Sequence, residues 1–176
     1  MGLFSRLRKT HNGTPAGSAV PGSLEKTPSG QDTGYFSSGS NKGIDSIYAF
    51  LQYDYESRGY NDALTNPDES YRNDNIRLIQ HDLMILIDRT ATYYETMLRE
   101  TDFHISSRSR AGLIDLVEEL KIRKEVTSDH LGKVRQIREE ASKGDGASQR
   151  IVLSYQRGFM RGLYAISQSK LFNGNL

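Results

Sequence analysis

The sequence predicts an all-α protein: an elongated antiparallel bundle of about four helices behind a disordered N-terminal tail. Three observations predict it. Composition changes near residue 43, because eight of the sixteen glycines and three of the four prolines (Pro15, Pro21, Pro28) fall before or at that point. No proline follows Pro67, and an interior proline costs a helix about 3 kcal/mol. Past the early forties, apolar residues recur at three- and four-residue steps, the period of an amphipathic helix.

Residues 1–9 read as a short amphipathic segment. Leu3, Phe4 and Leu7 share one side, with Arg6, Arg8 and Lys9 available to anionic headgroups or to a partner. A myristoylation signal would want Ser or Thr at position six, where Arg6 stands. Residues 10–42 are Gly/Ser/Pro-rich, with sparse and aperiodic apolar residues. Such a stretch buries too little surface to offset its ordering entropy, so a disordered tail is expected.

Residues 43–176 are expected to form the bundle. A first helix over about Ile44–Leu64 places Ile44, Ile47, Tyr48, Leu51, Tyr55 and Tyr60 near one face and stops at Thr65-Asn66-Pro67. A second starts there, with Asn66 as cap, Pro67 at the first helical position and Glu69 where a capping-box carboxylate belongs. Its stripe is Ile76, Ile79, Leu83, Leu86 or Ile87, Thr90, Tyr94, and Met97 or Leu98. Asn73-Asp74-Asn75 is a point of interruption, because these residues favour local turns. Leu83 to Ile87 is apolar all round, which predicts the most buried turn of the protein.

A third helix over about Arg110–Ser142 carries Leu113, Leu116, Val117, Leu120, Thr127, Leu131, Val134, Ile137 and Ala141. Gly144-Asp145-Gly146 ends it and offers Asp145 as the next cap. The fourth runs over about Ala147–Phe172 on Val152, Tyr155, Phe159, Leu163 and Ile166. Short connections make neighbours antiparallel, so an up-down-up-down arrangement is expected, its two middle helices about 45–55 Å long.

Chemistry is mostly excluded. With 23 basic and 22 acidic residues, the charge gives no polyanion-binding footprint. The absence of cysteine removes disulfides, thiolate metal sites and a cysteine nucleophile, and fits a reducing compartment. No run of eighteen apolar residues exists to span a membrane, and no apolar stretch follows the basic N-terminus as a secretory signal requires. His11, His81, His104 and His130 lack Glu-x-x-His or His-Glu-x-x-His spacing, so no metal or other cofactor is expected. Neither a Gly-x-Ser-x-Gly elbow nor a Walker glycine loop is present. The expectation is a chain without enzymatic activity.

What remains points to association. Four tyrosines (Tyr48, Tyr53, Tyr55, Tyr60) crowd the first helix, and tyrosine suits interfaces because it joins an apolar ring to a polar tip. Arg123, Lys124 and Thr127 sit in the seam of the third helix. They either snorkel outward or meet an acidic residue from a partner chain or from the first helix. Gly158-x-x-x-Gly162 suits close approach of another helix, of this chain or of a second copy.

Thr90 and Thr127 mark where a small molecule would enter the core. Arg150, Arg157 and Arg161 form a basic face that could contact phosphates. The leading expectation is a helical interaction protein, an adaptor or structural subunit of a larger assembly. It would be cytoplasmic, working through a protein partner or homo-oligomer, with peripheral membrane contact at residues 1–9 as a further expectation. The alternative is a nucleic-acid-associated protein using the basic face.

Overall fold

The computed structural model describes residues 43–173, with side chains through Leu171. The amphipathic segment at residues 1–9 and the tail at residues 10–42 lie outside the described residues. The described residues contain five helices: α1 (Ile44–Gln52), α2 (Tyr55–Thr65), α3 (Glu69–Arg110), α4 (Ile114–Lys143) and α5 (Gly146–Asn173). Among them there is no strand.

The expected first helix is in fact two. Tyr53 adopts an extended backbone (φ −60°, ψ 149°), and the Asp54 side chain then accepts the Ser57 amide at 3.0 Å to cap α2. An aspartate at this point offers the chain a cap, which a helix interior cannot use. The break separates two burial jobs. Ile44, Ile47, Phe50 and Leu51 are buried from α1, while α2 buries Tyr55, Gly59 and Ala63.

The start of α3 corrects the expected cap by two residues. Asp68, not Asn66, caps it, accepting the amides of Ser70 at 2.8 Å and Tyr71 at 3.2 Å. Pro67 precedes the cap, and Asn66 accepts the Asp68 amide at 3.2 Å. Asn73-Asp74-Asn75 does not interrupt the helix, because Asn75 turns its side-chain amide back onto the Tyr71 carbonyl. The helix then continues to Arg110, past the last residue of the expected stripe.

Glycine closes both turns around α4. At Gly112 (φ 70°), the Leu113 amide reaches the Arg108 carbonyl and the Gly112 amide reaches that of Ser109. At Gly144 (φ 72°), the Asp145 amide reaches Glu140 and the Gly144 amide reaches Ala141. Both are Schellman closures, in which a left-handed residue lets the chain satisfy the last carbonyls of the helix. The expected start of α4 moves from Arg110 to Ile114 for this reason.

The main pairings are α3 with α4 and α2 with α5, while α1 lies on α3 and α5 also touches α3 and α4. These pairings are consistent with the expected bundle; the difference is that five helices build it, because the first divides at Tyr53-Asp54. Its core holds Ile47, Tyr55, Ile79, Leu83, Ile87, Val134, Ile151, Tyr155 and Phe159, all fully buried. Burying each such side chain stabilises the fold by about 1.5–3 kcal/mol. The Leu83–Ile87 turn is buried only at its two ends. Ile85 is 53% exposed, since none of the described elements covers the outer face of α3 there.

Candidate interaction surfaces

A close helix contact lies between α2 and α5 and is built from small residues. A Cβ on Gly59 would strike the Tyr155 carbonyl, and one on Gly158 would strike the Glu56 carbonyl. One on Gly162 would stand 2.6 Å from the Ala63 methyl and 2.7 Å from the Tyr60 carbonyl oxygen. Gly158 and Gly162 are therefore buried against the chain's own α2, the first of the two expected alternatives, and they leave no surface here for a second copy. Tyr155 extends across this contact, its hydroxyl donating to Asp62 Oδ2 at 2.9 Å. Burial first, then that hydrogen bond and the nearby carboxylate charge, raise the phenol well above its ordinary pKa.

The four candidate tyrosines of the first helix separate. Tyr55 is buried, packed near the rings of Phe50 and Tyr53, so it belongs to the core and not to an outer surface. Tyr48 and Tyr53 are exposed, and Tyr60 is half-buried beneath Arg161, whose guanidinium lies 6.0 Å from the ring centroid.

The polar seam of α4 is resolved within the chain. Lys124 pairs with Asp102 of α3 at 2.7 Å, so the acidic residue it meets comes from neither a partner nor the first helix. Arg123 is exposed. Thr90 and Thr127 are buried, but their hydroxyls donate to the carbonyls four residues back, Leu86 and Arg123, at 2.8 Å each. They are satisfied without a bound molecule.

The basic face of α5 is partly engaged. Arg150 donates to the Leu51 carbonyl at 3.3 Å, and Arg161 pairs with Glu56. Arg157 is exposed and makes no ion pair among the described residues. His81 is exposed, His104 Nδ1 accepts from the Arg108 guanidinium at 2.8 Å, and His130 rests against the Tyr94 ring. Among the described residues, no group of three His, Asp or Glu side chains is placed to hold a metal ion.

The structure also brings out a surface that a search for one seam per helix passes over. On the side of α5 facing away from α2, Leu153, Arg157, Met160, Tyr164 and Leu171 follow steps of four, three, four and seven. Residues so spaced share a face. The outer face of α4 follows the same rhythm with Asp115, Glu119, Ile122, Val126 and Asp129. All six large apolar residues of these two stripes are at least half exposed. Beside the α5 stripe, Tyr60, Arg157, Met160, Arg161 and Tyr164 line a shallow groove of about 470 Å³. The signal was present in the sequence as a second apolar period on helices that already had one.

No helix among the described residues is long and apolar enough to cross a membrane. Comparison with protein-family models, with curated proteins and with solved structures finds no match to this chain.

Proposed function

We propose that this chain is a non-enzymatic helical interaction protein, an adaptor or structural subunit that binds other protein through the outer faces of its bundle. One observation carries the reading. Large apolar side chains, spaced for helix-to-helix contact, stand in rows on outer faces that none of the described helices covers. Isolated exposed apolar residues are ordinary on a protein surface, whereas aligned ones mark contact sites. The core polar groups that might receive a small molecule are satisfied internally. Two of the three arginines of the nucleic-acid alternative are engaged with α1 and α2. Both facts favour protein contact.

The test uses the full chain with a photoreactive side chain at Tyr164, on the outer stripe, or at Gln80, an exposed position of α3 off both stripes. Cross-links to protein at Tyr164 and not at Gln80 support the reading. Equal or absent cross-linking at the two positions overturns it. Repeating the experiment without residues 1–9 shows whether Leu3, Phe4, Leu7 and the adjoining cations contribute to the same contact or to a membrane.

A further inference from the structure

The outer faces of α4 and α5 match each other in a way neither matches itself. Over its whole length α5 carries Arg150, Arg157, Arg161 and Lys170 and no acidic residue. Two α5 helices laid together would therefore repel. The face of α4 between Asp115 and Asp129 has the opposite character: Asp115, Glu119 and Asp129 bracket Ile122 and Val126. These three acids make no ion pair among the described residues. Within one chain the two stripes point outward and cannot meet. Between two chains they can.

We propose that the outer stripe of α5 docks on the outer stripe of α4 in a second copy of this chain. Met160 and Tyr164 pack against Ile122 and Val126, and Arg157 meets Glu119 or Asp129. The spacing supports this directly, because both stripes follow the four-three-four rhythm that keeps two helices in contact. On α5 the cation stands one step before an apolar pair, and on α4 an acid flanks the apolar pair on both sides. Arg157 therefore finds a carboxylate whether the helices run parallel (Glu119) or antiparallel (Asp129).

A lipid surface fits less well. Arg157 lies within the apolar row, between Leu153 and Met160, where hydrocarbon would have to bury its charge and a carboxylate would neutralise it. Each copy offers both stripes, so the contact either closes into a symmetric dimer with two equal interfaces or continues from copy to copy.

This inference rests on the interaction reading and specifies its partner. The experiment is sedimentation velocity on the full chain over a wide concentration range, with circular dichroism confirming that each variant is folded. The wild type is expected to associate as concentration rises. Met160→Glu and Ile122→Lys should each weaken association about tenfold or more, as expected when an apolar anchor at the centre of a contact is lost. Arg157→Glu should weaken it as well, and association should return when Arg157→Glu is combined with Glu119→Arg or with Asp129→Arg. The rescuing partner reports the helix direction.

A wild type that stays monomeric into the high micromolar range overturns the inference, as does failure of both charge swaps to rescue. So does a monomer that binds anionic vesicles through Met160 and Tyr164. A monomer whose Tyr164 still cross-links to a different protein would overturn self-association while leaving the interaction reading intact.

Discussion

At the residue scale, two glycines in long helices have opposite consequences. Gly158 faces the Glu56 carbonyl so closely that a methyl group must displace backbone, whereas Gly132 of α4 has no heavy atom within 4 Å of a built Cβ. Gly158→Ala is expected to destabilise the fold by about 1–3 kcal/mol through overpacking. Gly132→Ala should stabilise it by up to about 1 kcal/mol through helix propensity; urea denaturation measures both. Tyr155 provides a second test. Replacing it with Phe removes the hydrogen bond to Asp62 and should cost about 1–2 kcal/mol. The raised phenol pKa also has a definite sign. Below the ordinary tyrosine pKa of about 10 its contribution is fully present. Above that value the unfolded chain loses a proton that the folded chain retains, so stability falls as pH rises. In Tyr155→Phe that part of the alkaline loss should be absent from denaturation midpoints measured at increasing pH.

Helix ends decide the behaviour at the scale of the element. The Ser57 hydroxyl and amide hold the Asp54 carboxyl below its usual pKa, and the amides of Tyr71 and Ser70 do the same for Asp68. Groups lowered in this way stabilise the fold above the ordinary carboxylate pKa of about 4, and that stabilisation is lost as pH falls through their folded values. Asp68→Asn should keep the cap, since Asn accepts the same amides, yet remove this portion of the acid sensitivity. Helicity followed by circular dichroism from neutral to acidic pH would show the difference. These ends also explain what the sequence revealed. Existence and type of the long helices were legible, because period and proline exclusion act along the whole of Glu69–Arg110 and Ile114–Lys143. The division at Tyr53-Asp54 and the shift of the cap from Asn66 to Asp68 were not. Several Asn and Asp residues compete for each cap, and tertiary burial selects among them.

For the whole molecule, burial is unevenly distributed along the α3–α4 hairpin. Between residues 98 and 126, only Thr101 and Val117 are buried, while Ile79 to Tyr94 supply five core positions. Hydrogen exchange should therefore be faster in α3 beyond Thr101 and in α4 before Thr127 than in the middle of α3, because opening there exposes little apolar surface. The pairing of α2 with α5 was beyond the sequence. Gly158-x-x-x-Gly162 signals close approach without naming the helix that approaches, and nothing in the letters singles out Gly59 and Ala63 of α2 as what meets it. The outer stripes were visible as letters but were masked by stronger seams on the same helices.

The glycine contact joins two helices between which the entire α3–α4 hairpin is inserted. During folding, α3 and α4 need only the short Gly112 turn to meet, whereas α2 and α5 must wait until the ends of that hairpin are brought together. Local contacts of this sort form early and distant ones late. Substitutions in the hairpin should consequently slow refolding, and those at Gly59, Gly158 or Gly162 should chiefly hasten unfolding. Stopped-flow rates on both limbs would show which half of the bundle assembles first.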